Sequence, residues 1–340
     1  MINQFYQAMR ISSLFLLFFL PLQGSSGQIN SGGSEADLKL IYSIPLPNVN
    51  GRIDHLAYNG KAGLLYIAAL GNNTVEVADL KAKKVIYTIK GLKEPQGIRY
   101  ISEGNVIFVA NGENGECDIF NADTYKKTTS IKLDGDADNV RYDPSSGNIY
   151  VGYGEGGIAV IDARTFKKLS NVKLPGHPES FQLDTELKKL YVNVPDAHIL
   201  EKIDLNTNEI SDTWRIDVAS ANFPMAVDGI NHRLFIGCRR PAKMLVINSE
   251  TGKTLATVDI DGDTDDLFYN NSSGKIYVSC GAGFIDVIKQ TGPDNYQVIS
   301  KLESRSGART SLYVPELKQL FVAVPARSGN EARLLIFQAK

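Results

Sequence analysis

Leu65-Tyr66-Ile67-Ala68 reads aliphatic, aromatic, aliphatic, small, and the same pattern returns six more times along the chain. The copies are Ile107-Phe108-Val109-Ala110, Ile149-Tyr150-Val151-Gly152, Leu190-Tyr191-Val192-Asn193, Leu234-Phe235-Ile236-Gly237, Ile276-Tyr277-Val278-Ser279 and Leu320-Phe321-Val322-Ala323. The aromatic falls at 66, 108, 150, 191, 235, 277 and 321, giving spacings of 42, 42, 41, 44, 42 and 44. Short β-branched and aromatic runs recurring every roughly 40 to 45 residues are what a ring of four-stranded blades requires. Seven copies predict an all-β, seven-bladed β-propeller with four-stranded antiparallel blades.

Working outward from the first copy, period-2 alternation and turn residues divide the repeat into strand A (Ile53 to Tyr58), B (Leu64 to Leu70), C (Val75 to Leu80) and D (Val85 to Ile89). The last repeat lacks its D strand: after Leu320-Phe321-Val322-Ala323 only Leu334 to Gln338 remains. Leu38-Lys39-Leu40-Ile41-Tyr42-Ser43-Ile44-Pro45, at the other end, matches the D strands. The segment at about 38–46 is therefore expected to join the last blade and close the ring, removing an open sheet edge.

Upstream, Arg10 precedes the apolar run Ile11 to Leu22, and Gly24-Ser25-Ser26-Gly27 follows it. That order fits a secretory signal peptide, and the run is too short for a membrane span of about 20 apolar residues. The expected organisation is a signal peptide at 1–27, a flexible segment at 28–36 and one propeller domain at 37–340. It implies an exported chain, periplasmic or secreted, with no transmembrane anchor after signal removal and expected to be a monomer. The formal net charge is −2. With no basic stretch interleaved with aromatics, nucleic acid is not an expected partner. The three cysteines, Cys117, Cys238 and Cys280, are expected as buried thiols; the alternative is a 238–280 disulfide, since both hold the same register in adjacent repeats.

In this connectivity the D-to-A and B-to-C loops share one face, and strand A lines the central channel. Twelve residues before each aromatic, the channel mouth receives Asp54, Gln96, Asp138, Glu179, Phe223, Asp265 and Arg309. His55, Asn139 and Asp266 follow directly, Asn222 directly precedes, and Arg239 and Arg240 enter from a B-to-C loop. Carboxylates gathered at a partly desolvated mouth raise one another's pKa unless a cation compensates. Three readings follow. The arginines neutralise the ring as a structural plug. Asp54, Asp138, Glu179 and Asp265 hold Ca2+ or another divalent cation through oxygen ligands. Or Asp54, His55, Gln96, Asp138, Asn139, Glu179, Asn222, Asp265 and Arg309 bind a small polar molecule or protein partner, with Arg239 and Arg240 contacting anionic groups. No nucleophile elbow, P-loop, dinucleotide fingerprint or multi-histidine metal spacing is present.

The Tyr-Val-x-x strand followed by Val-x-x-Asp is similar to the YVTN β-propeller repeat, and residues 37–340 resemble the YncE-like exported bacterial propellers. The likeness is carried by Gly51-Arg52-Ile53-Asp54-His55-Leu56-Ala57, Glu94-Pro95-Gln96-Gly97, Ala137-Asp138-Asn139-Val140-Arg141-Tyr142 and Gly176-His177-Pro178-Glu179-Ser180-Phe181, among others. It implies the fold and export, and leaves activity open. Some such proteins are described as DNA-binding, which the acidic balance here opposes. The leading expectation is a non-enzymatic binding platform at the channel face. The alternative is a lactonase-like hydrolase whose channel carboxylates hold a divalent cation that activates water.

Overall fold

The computed structural model describes residues 37–327 and 329–340, so the expected signal peptide and flexible segment lie outside the described residues. Among the described residues, twenty-eight strands, β1 to β28 in chain order, form seven antiparallel sheets of four. In the first blade these are β2 (Leu56–Asn59), β3 (Leu64–Ala69), β4 (Thr74–Asp79) and β5 (Lys84–Lys90), hydrogen-bonded in that order. The last blade combines β26 (Ser311–Val314), β27 (Gln319–Val324), β28 (Arg333–Ala339) and, as its outermost strand, β1 (Leu38–Pro45). The expected fold and ring closure are both found. The ladder runs from Leu38 opposite Ala339 to Pro45 opposite Arg333.

The repeated four-residue pattern works because both faces of strand B are buried. Leu65 and Ile67 pack toward the preceding blade, while Tyr66 and Ala68 pack toward the following one. Alternation along a strand sends successive side chains to opposite faces, so each blade supplies one wall of two cores. All seven aromatics are 2% exposed or less. Outer strands carry the polar load: β5 reads Lys-Val-Ile-Tyr-Thr-Ile-Lys and only Ile89 is buried. Lysine at such edges blocks pairing with other chains.

The cysteines are three free, buried thiols, as the preferred expectation had them. Burial pushes the Cys238 thiol up to about 12 and raises the other two. None is therefore expected to react with an aromatic disulfide reagent in the folded protein, whereas all three react in denaturant; one fast thiol under native conditions contradicts this packing. The single Trp214 stacks on Tyr191 at 6.4 Å, and a Cβ on Gly252 would lie 2.2 Å from its ring. It is a packing residue. Among the described residues no helix is long and apolar enough to cross a membrane.

Candidate functional site

Strand A of the first blade starts at Leu56, three residues later than its sequence suggests, and the reason shapes the site. Ala68 accepts a hydrogen bond from the Asp54 N–H (2.7 Å) and donates one to the His55 carbonyl (3.0 Å). Two residues thus oppose one, a β-bulge. The fourth blade repeats it, with Glu179 and Ser180 straddling Asn193. Register shifts fall at the same place in four other blades, between Pro95 and Ile98, Ala137 and Val140, Asn222 and Met225, and Thr264 and Asp266. Because a bulge re-aims a side chain, consecutive residues here both reach the channel.

The mouth is a cavity of about 260 Å3 lined by Asp54, His55, Gln96, Asp138, Asn139, Glu179, Asp265 and Arg309, all expected from the sequence, together with Arg239. Its charge is divided. On one side Asp265 lies between Arg239 Nη2 (2.6 Å) and Arg309 Nε (3.0 Å), and Arg309 Nη1 also reaches Asp263 (2.9 Å). The Arg239 guanidinium stacks 3.8 Å above the Phe223 ring. These arginines are already committed, which fits the plug reading for this half.

The other half lacks that compensation. Asp54 pairs with Arg52 at 3.1 Å, but Arg52 is more than half exposed. Asp138 is 8% exposed, and its Oδ1 has no hydrogen-bond partner among the described residues; neither does Asn139 Oδ1. Burial, followed by Asp54 and Glu179, raises the Asp138 carboxyl well above the usual range. Burial pushes Glu179 up to about 8, helped by Asp265 and Asp54. His55 sits in the floor, with Nε2 3.8 Å from Asp54 and 3.9 Å from Asp138, and Nδ1 3.8 Å from Asp266. Burial lowers its pKa to about 4, with Arg141 adding to the effect. A neutral imidazole among carboxylates inclined to hold protons is a self-consistent, uncharged floor.

Two expected site residues are elsewhere. Asn222 is fully buried and donates through Nδ2 to Asn193 Oδ1 (3.1 Å) and to the Ile199 carbonyl (3.2 Å), because it precedes its bulge and turns into the wall. Arg240 lines a separate surface cavity with His198 and Arg215, since alternation sends it away from its neighbour Arg239. As for a metal, no three or more His, Cys, Asp or Glu side chains are grouped to hold an ion among the described residues. The four candidate carboxylates come from four different blades, and Asp265 is occupied by two guanidinium groups.

Gly97 follows Gln96 on the bulge of the second blade. A Cβ there would stand 1.9 Å from the Asp138 carbonyl oxygen. Gly97→Ala is accordingly expected to displace Asp138 and to cost at least about 1 kcal/mol in denaturant unfolding; an unchanged midpoint contradicts the close approach.

Sequence reading missed Arg99 and Arg141, which lie three residues beyond Gln96 and Asp138 and line a second cavity below His55. The available signal was their equal offset from the mouth in adjacent repeats.

A chain of the mitotic checkpoint complex superposes with a TM-score of 0.74 at 13% identity, covering 97% of this chain and 99% of that one. The hydrazine synthase of Kuenenia stuttgartiensis gives 0.73 at 13% identity, covering 81% and 93%. The likeness is one of fold. No protein family matches the sequence, and no curated protein does. At such low identity the two neighbours share an architecture and pass on no activity.

Proposed function

We propose that the chain is an exported, monomeric binding propeller of the YncE-like kind, whose channel mouth holds a small polar ligand by a protonated amine. One observation carries this reading: Asp138, whose buried Oδ1 has no donor among the described residues, lines a cavity of about 260 Å3 beside Glu179 and Asp54. A buried acceptor without a partner is costly, and an ammonium group would satisfy it while favouring the charged forms of all three carboxylates. Asn139 Oδ1 offers a further acceptor. The ligand's neutral polar end would lie toward Arg239 and Arg309, which stay paired with Asp265.

Catalysis is not part of the proposal. The hydrolase reading asks Asp54, Asp138, Glu179 and Asp265 to share one divalent cation, and nothing in their arrangement favours that over an ammonium. Thermal melting with 4-aminobutan-1-ol, a neutral diol of equal length and calcium chloride separates the readings. Stabilisation by the amino alcohol alone supports the proposal. Stabilisation by calcium alone would overturn it in favour of a metal site.

A further inference from the structure

Below His55 the channel opens into a second cavity of about 430 Å3, within the size range of small-molecule sites. Its chemistry is the reverse of the mouth's. Arg99 and Arg141 enter it from equivalent positions on neighbouring blades. Every other channel arginine described above is paired with a carboxylate, but these two make no ion pair among the described residues. The Arg99 guanidinium makes no hydrogen bond among the described residues either. Arg141 donates only to its neighbour's carbonyl, Val140 O (3.0 Å), and to Ser180 Oγ at the limit of 3.5 Å, with its guanidinium 5.4 Å from the Phe181 ring centre. Asp266, which lines the same cavity, is otherwise engaged: its Oδ2 accepts the Ser311 N–H at 2.7 Å, and burial raises it well above the usual range. Asp138 belongs to the mouth. Burial lowers the hold of Arg141 on its proton, and the neighbouring Arg99 lowers it further, against opposing contributions from Asp266 and Asp138.

The rest of the lining mixes apolar side chains, Leu183, Phe268 and Leu312, with the polar Ser180, Gln182 and Thr185. The second cavity thus brings two guanidinium groups without ion pairs together with half-buried apolar side chains. We infer that it is a binding site for a small organic oxyanion, a carboxylate or a phosphate monoester, whose charged group bridges Arg99 and Arg141 and whose apolar body lies against Phe268 and Leu312. Planar guanidinium groups suit bidentate recognition of both anions, and the cavity closes around the body by apolar contact. This inference does not rest on amine binding at the mouth.

Calorimetric titration with benzoate, phenyl phosphate and benzyl alcohol tests it. At least one of the two anions is expected to bind at one site per chain, while benzyl alcohol, with the same ring and no charge, does not. Arg99→Gln and Arg141→Gln should each weaken the anion by about tenfold to a hundredfold, the loss of one charge-assisted hydrogen bond. Arg141→Lys, which keeps the charge and the stem, should recover part of that loss and guards against a packing defect. Preference for benzoate or phenyl phosphate assigns the carboxylate or the phosphate. Saturable binding of neither anion at millimolar concentration, or equal affinity in Arg99→Gln, overturns the inference.

Discussion

Removing residues 37–46 should unfold this protein or open its ring at ordinary temperature. Leu38, Ile44 and Leu46 are each fully buried. Ile44 and Leu46 pack in the core between the last blade and the first, and Leu38 packs in the core before it. Three such side chains contribute roughly 5 to 9 kcal/mol by burial, against a total stability of about 5 to 15 kcal/mol for a typical domain. The deletion also leaves β28 as a bare edge. The expected readout is loss of the cooperative thermal transition and rapid proteolysis. A truncated chain that melts like the full one would show that β1 decorates the ring without closing it.

Stability should fall as pH rises from 6.5 to 8. Burial holds Glu179 at about 8, above its ordinary 4.5, so the folded state keeps a proton that the unfolded chain releases. Stability linked to that proton is complete below pH 4.5 and is lost as pH rises through 8. His55 works the other way: its pKa of about 4 makes the folded state release a proton that the unfolded chain keeps up to about 6.5. The two oppose one another between pH 4.5 and 6.5, which leaves the Glu179 contribution unopposed by His55 above that window. A pKa displacement is worth about 1.4 kcal/mol per unit, so Glu179 alone accounts for about 2 kcal/mol between pH 6.5 and 8. Asp54, Asp138, Asp265 and Asp266, also raised by burial, act in the same sense. Glu179→Gln should flatten much of this slope and melt several degrees above the parent at pH 8. An equally steep slope in the variant would place the alkaline loss elsewhere.

The same proton links stability to binding. An amine in the mouth needs Glu179 ionised, so affinity should rise with pH through the window in which the empty protein weakens. A ligand that binds only the folded state then restores what the carboxylates lose.

Much of the architecture was legible because a propeller repeats its packing problem seven times. Tyr66 and its counterparts meet the same inter-blade environment, so the aromatic returns in register and fixes blade number and strand order. The closing strand could be read because Leu38 to Pro45 must obey the alternation of the strand whose place it takes. The mouth was legible to the depth at which that period holds, which gave Asp54, Gln96, Asp138, Glu179, Asp265 and Arg309, with His55 and Asn139 as their direct neighbours. The bulge was not, because it is a backbone event that no residue type announces; it turns His55, Asn139 and Ser180 inward beside their neighbours and leaves Asn222 in the wall. Which arginines are spent also depends on contacts between blades. Arg239 and Arg309 attracted notice in the sequence yet are tied to Asp265, while the unpaired Arg99 and Arg141 sit where only folding brings them together.

The channel mouth is tested most directly by calorimetric titration of 4-aminobutan-1-ol into the purified protein at pH 8, beside Asp138→Asn and Glu179→Gln. The account predicts one saturable site, weakened about tenfold to a hundredfold in each variant, and weaker in the parent at pH 6.5 than at pH 8. Absence of binding, or an affinity unchanged by both substitutions, would contradict the assignment of the channel mouth as an amine-binding site.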